Sequence, residues 1–204
     1  MKLVLDFDGT VTERDTLEMV LTQFGDQQIY DHVESELGLS LTLNEVITAE
    51  FATVTAPLDE VVPWLLAQAR VRPGFRELAE RHRPLIVSSG FRQLIEPLLE
   101  REGVLELVEL RAHNVDARPD GWRVRFRHGD TCGTCGEPCK RADLPQGDEV
   151  VYVGDAYSDR CAALAADRVF ATAGLAAYLT ARGTPFEPFE DFVDLNYLLV
   201  TASS

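Results

Sequence analysis

The sequence predicts an α/β protein in which a layered core surrounds a parallel sheet and a helical unit is inserted after the first strand. Three observations predict it. Short apolar runs at residues 3–7, 85–88 and 150–153 each give way to polar or glycine residues. Helical periodicity alternates with strand-like runs after residue 74, a rhythm that builds parallel sheets through right-handed crossovers. Between the first two runs, residues 16–70 carry helical periodicity with no strand-like interruption.

The elements follow in order. Leu3-Val4-Leu5-Asp6-Phe7, closed by Gly9 and Thr10, reads as a buried strand ending at its first Asp. Leu17, Val20, Leu21 and Phe24 share one helical face, and Gly25 stops that helix. Ile29, Val33 and Leu37 repeat the pattern before Gly38, and Thr42 and Glu45 have capping-box spacing ahead of Val46, Ile47, Phe51 and Val54. Asp59 opens another helix through Val62, Leu65, Leu66 and Ala69. These helices read as a bundle set apart from the sheet, over residues 13–74.

After Arg72-Pro73-Gly74 come a helix at 75–81, the strand Leu85-Ile86-Val87-Ser88, and a helix carrying Leu94, Ile95, Leu98 and Leu99. Residues 107–115 read as a strand, and Pro119-Asp120-Gly121 as a turn. Trp122, Val124 and Phe126 then alternate with Arg123, Arg125 and Arg127, which makes 107–128 a hairpin insertion with one solvated, positive face. The strand Val150-Val151-Tyr152-Val153 follows, then a helix at 161–166, a strand at 169–171 and helices at 175–181 and 189–199. The core is thus residues 1–12 and 75–204, and the helical cap is residues 13–74.

The chain has 204 residues, 46% of them hydrophobic and 26% charged, enough apolar material for a sizeable core. No apolar run approaches the ~20 residues of a membrane helix, and Asp6 stands too early for a signal peptide, so the expectation is a cytoplasmic protein. A formal charge of −15 disfavours nucleic acid and anionic membranes as partners and leaves oligomeric state open. An anionic substrate would need locally concentrated positive charge. Of 19 basic residues only Lys2 and Lys140 are lysines, which singles out Lys140.

Asp6 and Asp8, Ser88-Ser89-Gly90, and Gly154-Asp155 with Asp159 all stand at predicted strand ends. Ligands of open parallel sheets bind there, so the three clusters are expected to meet in one cleft. Taken singly, Asp8-Gly9 reads as a turn, Ser88 as a helix cap and Asp155 as a strand-to-helix turn; their shared placement is what points to a site. Converging Asp6, Asp8, Asp155 and Asp159 repel one another unless a divalent cation sits among them, and oxygen ligands favour Mg²⁺. Glu13, Arg14 and Asp15 read equally as substrate contacts and as an ordinary helix start.

These residues resemble the motifs of haloacid dehalogenase (HAD) superfamily phosphatases. Asp6-Phe7-Asp8-Gly9-Thr10 looks like the first motif, and Ser88, Lys140 and Gly154-Asp155-Ala156-Tyr157-Ser158-Asp159 stand where the second, third and fourth belong. The helical insert resembles the cap of the phosphoserine phosphatase-like branch. Val71-Arg72-Pro73-Gly74-Phe75, the cysteines before Lys140, and residues 169–171 through 191–192 are similar to the methionine-salvage phosphatases that act on 2-hydroxy-3-keto-5-methylthiopentenyl-1-phosphate. The resemblance implies a three-layer Rossmann-like core and hydrolysis of a small organic phosphate monoester. It assigns Asp6 as nucleophile forming an aspartyl-phosphate, Asp8 as general acid and base, and Ser88, Ser89 and Lys140 as phosphate-binding. Asp6, the Asp8 main-chain carbonyl, Asp155 and, directly or through water, Asp159 are its implied Mg²⁺ ligands. The dehalogenases lack the acid at the position of Asp8, so the residue points to phosphate chemistry. The methionine-salvage enol phosphate is the leading substrate; phosphoserine or a phospho-amine headgroup is the alternative, and a non-catalytic binding module is the rival from another class.

Cys132, Cys135 and Cys139 lie just ahead of Lys140. Their spacing suits either a structural zinc site, with His128 as fourth ligand, or a loop of free thiols. Cys161 reads as buried filler on an Ala-rich helix.

Overall fold

A computed structural model describes residues 1–127 and 129–201. β1 (Lys2–Leu5) lies inside the sheet between β2 (Leu85–Phe91) and β5 (Val150–Gly154), with parallel pairing on both sides. β3 (Glu109–Asp116) continues the sheet in parallel beyond β2, and β6 (Arg168–Ala171) and β7 (Glu187–Pro188) continue it beyond β5. β4 (Arg123–Arg125) closes one edge antiparallel to β3, giving the order β4-β3-β2-β1-β5-β6-β7. The chain leaves β1 for β2 on one side and later returns to β5 on the other. The carboxyl end of β1 is therefore a topological switch point, where a crevice opens.

Alternate strand residues face opposite layers. Leu3, Leu5, Ile86, Val151 and Val153 pack with α5 (Phe75–His82), α6 (Arg92–Arg101) and α9 (Phe192–Thr201). Val4, Leu85, Val87, Val150 and Tyr152 pack with α7 (Arg160–Ala163) and α8 (Ala173–Arg182). No helix among the described residues is long and apolar enough to cross a membrane.

Between β1 and β2 stand α1 (Thr16–Phe24), α2 (Gln27–Glu36), α3 (Leu43–Phe51) and α4 (Leu58–Gln68), all outside the sheet. Asp15 caps α1 by accepting the Leu17 and Glu18 amides at 2.8 and 3.0 Å, and the Thr42–Glu45 capping box opens α3. The chain enters and leaves this insert through one antiparallel bridge, Thr12 to Val71.

The insert is less separate than its sequence suggests. The Phe51 ring meets Phe91 edge-on at 4.6 Å and stacks on Trp122 at 5.9 Å. The Trp122 indole N–H donates to Ala56 O at 2.8 Å, and its amide reaches Phe51 O and Val54 O, each at 3.0 Å. Gly121, at φ +109°, lets the turn approach so closely that a Cβ there would stand 2.1 Å from Ala52 O. The turn ahead of β4 therefore clamps α3. The hairpin also differs from an appended insertion, because β3 is itself a parallel strand of the main sheet. The last helix starts three residues later than its periodicity suggests, since Glu187–Pro188 first pairs with β6 and Asp191 then caps the helix.

Trp122 is 1% exposed and joins the insert to the sheet edge. Trp122→Ala should cost about 3–5 kcal/mol, from lost burial plus a cavity, in urea unfolding monitored by circular dichroism. Arg125→Ala, on the exposed face of β4, should stay within about 0.5 kcal/mol. Equal effects of the two would remove the clamp.

Candidate active site

Past the end of β1 the chain curls, with the Thr10, Val11 and Thr12 amides all closing on Phe7 O at 3.3, 2.8 and 3.0 Å. Asp6 and Asp8 line one cleft of about 180 Å³ as a result. Gly9 sits at φ +76°, and a Cβ there would lie 2.3 Å from Asp155 Oδ2, so both backbone and space demand glycine. Arg72 braces this curl from the other end of the insert, donating to Thr10 O at 3.0 Å and Gly9 O at 2.8 Å.

Lys140 opens a one-turn 3-10 segment, Lys140–Asp143, with its ammonium buried. Its Nζ donates to Asp6 Oδ1 at 2.5 Å and Asp159 Oδ1 at 2.7 Å. Asp159 is fully buried and also accepts the Tyr152 hydroxyl on Oδ1 at 2.7 Å. Its Oδ2 accepts the Asp155 and Ala156 amides at 2.9 and 3.0 Å. Four donors thus hold Asp159 toward Lys140. Asp155 is freer, with Oδ1 accepting Thr10 Oγ1 at 2.8 Å.

Asp8 accepts from both the amide and the hydroxyl of Thr16 on Oδ1, and from Ser88 Oγ on Oδ2 at 3.1 Å. The Gly90 amide in turn orients Ser88 Oγ at 2.8 Å, and Ser89 lines the cleft beside Asp8. The structure thus brings Asp6, Asp8, Ser88, Ser89, Lys140, Asp155 and Asp159 to one place.

Burial, then Asp159, pushes Asp6 well above the usual carboxylate range, and the same two causes raise Asp155 to about 6. Burial also raises Asp8, against the lowering hydrogen bonds from Thr16 and Ser88. Burial works to lower Lys140, but Asp159 and Asp6 hold it above the ordinary lysine range. Four carboxylates therefore face one ammonium, a surplus that calls for a cation. Asp6, Asp155 and Asp159 each offer an oxygen, and these atoms lie within 4.8 Å of one another. Such hard donors fit Mg²⁺, with Asp6 and Asp155 the more available pair.

The rest of the cleft belongs to the insert. Leu17, Leu37, Leu43 and Ile47 give it an apolar wall, opposite Asp15, Glu18, Glu34 and Glu50. Glu50 is 4% exposed and its buried Oε1 has no hydrogen-bond partner. Burial, then the neighbouring Glu34, raises Glu50 to about 8; burial, then Asp8, raises Asp15 to about 7. Among the described lining residues Lys140 is the only basic one.

Sequence reasoning missed Thr10, Thr16, Arg72, Tyr152 and Glu50. It also misread Cys161, whose sulfur joins those of Cys132, Cys135 and Cys139 in one cluster. His128, the expected fourth ligand, lies outside the described residues.

Comparison with known proteins bears on the family and the fold. A family model for haloacid dehalogenase-like hydrolases matches residues 3–164. The 2-hydroxy-3-keto-5-methylthiopentenyl-1-phosphate phosphatase of Geobacillus thermodenitrificans is 30% identical over 206 residues, spanning 95% of this chain and 92% of that protein. The phosphatase of the same name from Exiguobacterium sibiricum is 26% identical over 208 residues, spanning 96% and 94%. A substrate-bound phosphoserine phosphatase complex shares the fold with a TM-score of 0.68 at 17% identity, covering 96% of this chain and 97% of that one.

The raised carboxylates give stability a definite pH dependence. Asp155, Asp15 and Glu50 titrate higher in the folded chain than in the unfolded one, so their contribution is present near pH 4 and lost as pH rises through about 6 to 8. Without divalent cations, the thermal midpoint should fall between about pH 5 and about pH 8.5, and Mg²⁺ should restore it more at the alkaline end. Scanning fluorimetry in buffers of matched ionic strength checks this; a flat profile would contradict it.

Proposed function

The match over residues 3–164 places the chain in the haloacid dehalogenase-like hydrolase family, and on that premise we propose that it is an Mg²⁺-dependent phosphatase acting on a small organic phosphate monoester through an aspartyl-phosphate at Asp6. One observation carries the reading. The Lys140 ammonium, held between Asp6 and Asp159, shares a cleft with the Asp8 carboxyl, which accepts from Ser88.

The Asp6 carboxylate attacks phosphorus while the leaving oxygen departs in line and takes a proton from Asp8. Burial raises Asp8 above the usual carboxylate range, which favours its holding that proton. Asp8 then accepts a proton from the water that attacks the aspartyl-phosphate, which returns Asp6 and releases phosphate. Ser88 and Lys140 bind the phosphoryl oxygens, where charge spreads in the transition state. Asp159 serves as a positioning residue for Lys140. When bound, Mg²⁺ would be held by Asp6, Asp155 and the Asp8 carbonyl, and would polarise the phosphoryl group. A non-catalytic module is disfavoured by the complete set of nucleophile, acid and buried lysine.

The leading leaving group is the methylthiopentenyl enol, supported by the named relatives and by an apolar wall suited to a thioether. The protonated Glu50 carboxyl would then donate a hydrogen bond to an oxygen of the substrate. The second reading is a phospho-amine, supported by the buried, unpartnered Glu50 Oε1 among Asp15, Glu18 and Glu34. Phosphoserine itself fits less well, since among the described lining Lys140, already assigned to the phosphoryl group, is the only basic residue and none is left for its carboxylate.

Asp6→Asn should abolish turnover in the presence of Mg²⁺ without altering the circular dichroism spectrum. Acid-quenched wild-type enzyme should carry a phosphoryl group on the peptide containing Asp6. Robust hydrolysis by the variant, or full wild-type activity in excess chelator, would refute the mechanism. Glu50→Gln separates the two substrates. It should leave kcat/KM for the enol phosphate within about threefold but lower it at least about tenfold for a phospho-amine, whose ammonium would lose its ion partner.

A further inference from the structure

We propose that Cys132, Cys135, Cys139 and Cys161 form a structural zinc site that fixes the position of Lys140. The four sulfurs lie within 4.8 Å of one another, and Cys132 Sγ stands 3.7 Å from Cys161 Sγ. A tetrahedron with Zn–S bonds of about 2.3 Å has edges of about 3.8 Å. A disulfide instead requires sulfurs about 2.05 Å apart.

The backbone at the first two thiols is shaped for such a centre. The Thr134 amide donates to Cys132 Sγ at 3.4 Å, and the Gly136 amide closes the turn on Cys132 O at 2.9 Å. Gly136, directly after Cys135, takes φ +78°, the left-handed region that glycine permits. Amide hydrogens aimed at sulfur favour the thiolate, the form that binds metal. Arg160 lines the cavity that Cys135, Cys139 and Cys161 also line, and its buried Nε has no acceptor. Its guanidinium lies between the Tyr157 and Tyr178 rings, 4.5 Å from each centroid, so positive charge is fixed beside the cluster. Four thiolates around Zn²⁺ carry a net double negative charge, half of which that guanidinium offsets.

The loop also needs a source of order. None of residues 129–139 belongs to the buried apolar core, yet the next residue is Lys140, whose ammonium is buried between two carboxylates. Cys139 immediately precedes Lys140, and Cys161 comes two residues after Asp159. A centre joining these cysteines ties together the two segments that carry the 2.7 Å Lys140–Asp159 contact. Binding releases the thiol protons and involves no oxidation or reduction. The proposal is independent of the substrate reading.

The test is the metal content of the full chain, purified under reducing conditions without a histidine tag. About one zinc per chain should remain after exposure to enough EDTA to remove Mg²⁺. Zinc absent both as isolated and after incubation with Zn²⁺ would overturn the proposal, as would iron in its place or disulfides in protein kept reduced. Cys161→Ser should weaken zinc retention at least about tenfold; unchanged retention would exclude Cys161 and overturn the four-thiol site. Should that variant fail to fold, cobalt-substituted wild-type protein should show the intense absorption of a tetrahedral thiolate centre, and a weak octahedral spectrum would refute it. Removing zinc with a mercurial should weaken inhibition by inorganic phosphate at least about tenfold without moving the Mg²⁺ half-saturation point. Unchanged phosphate inhibition would overturn the link to Lys140.

Discussion

The Lys140 ammonium between Asp6 and Asp159 is the contact on which the rest of this architecture depends. All three side chains are buried, and an ion in a protein interior costs several kcal/mol unless it is paired and hydrogen-bonded. Each of the three is tolerable because of the other two, and Tyr152 and two main-chain amides satisfy what remains of Asp159. The partners come from the end of β1, the turn after β5 and a loop more than a hundred residues beyond β1. Parallel pairing of β1 with β5 brings the two carboxylates together at the carboxyl end of the sheet. The loop must then supply the counter-charge, or both carboxylates are stranded.

A second contact joins the chemistry to the helical insert. Asp8 is held by Thr16, the first residue of α1, through both amide and hydroxyl. A proton carrier on the sheet is therefore positioned by a residue of the insert. The Phe51–Trp122 stack and the indole bond to Ala56 fix the far side of that insert to the β4 edge. Asp8 and the apolar wall of the cleft are thus held by the same insert, which on the proposed mechanism would couple recognition of the substrate to protonation of its departing oxygen.

Much of this is legible in the sequence because buried parallel strands are written plainly. Apolar runs that stop abruptly at Asp6 and Gly154 mark strand ends, and strand ends mark the crevice; the strand expected to end at Ser88 instead runs on to Phe91, with a break in register after Val87. Lys140 stands out because the chain otherwise uses arginine almost throughout. Glu50 was legible but overlooked: Val46, Ile47 and Phe51 define a buried stripe on α3, and Glu50 falls inside it. A carboxylate at a core position of a helix is a signal in itself. Tyr152 in an otherwise apolar strand is the same kind of signal. Cys161 was not legible, since nothing local distinguishes a cysteine on an Ala-rich helix from filler; only the fold carries it to the thiols before Lys140. The two-residue β7 is too short to leave a periodicity, and the role of Trp122 is tertiary, because its partner ring belongs to a different helix.

Charge sets the final constraint on how such a site handles phosphate. The chain carries −15, and six carboxylates line the cleft against one ammonium, so a phosphate dianion arriving there adds to an existing excess of negative charge. Within a Debye length of about 8 Å that excess is poorly screened, and least of all in a buried site. Two neutralisations are available from the groups present: a divalent cation on Asp6 and Asp155, and a proton on Asp8. The proton is the more informative of the two. Burial already favours it on Asp8 before substrate arrives, and an approaching dianion favours it further, because a charged neighbour of like sign raises a carboxylate's affinity for its proton. On the proposed mechanism, an anion whose leaving oxygen needs a proton would help load the group that supplies it. Binding and general-acid catalysis would then draw on the same ionisation, and the acidity of the cleft, which looks adverse to an anionic substrate, would prepare Asp8 to act.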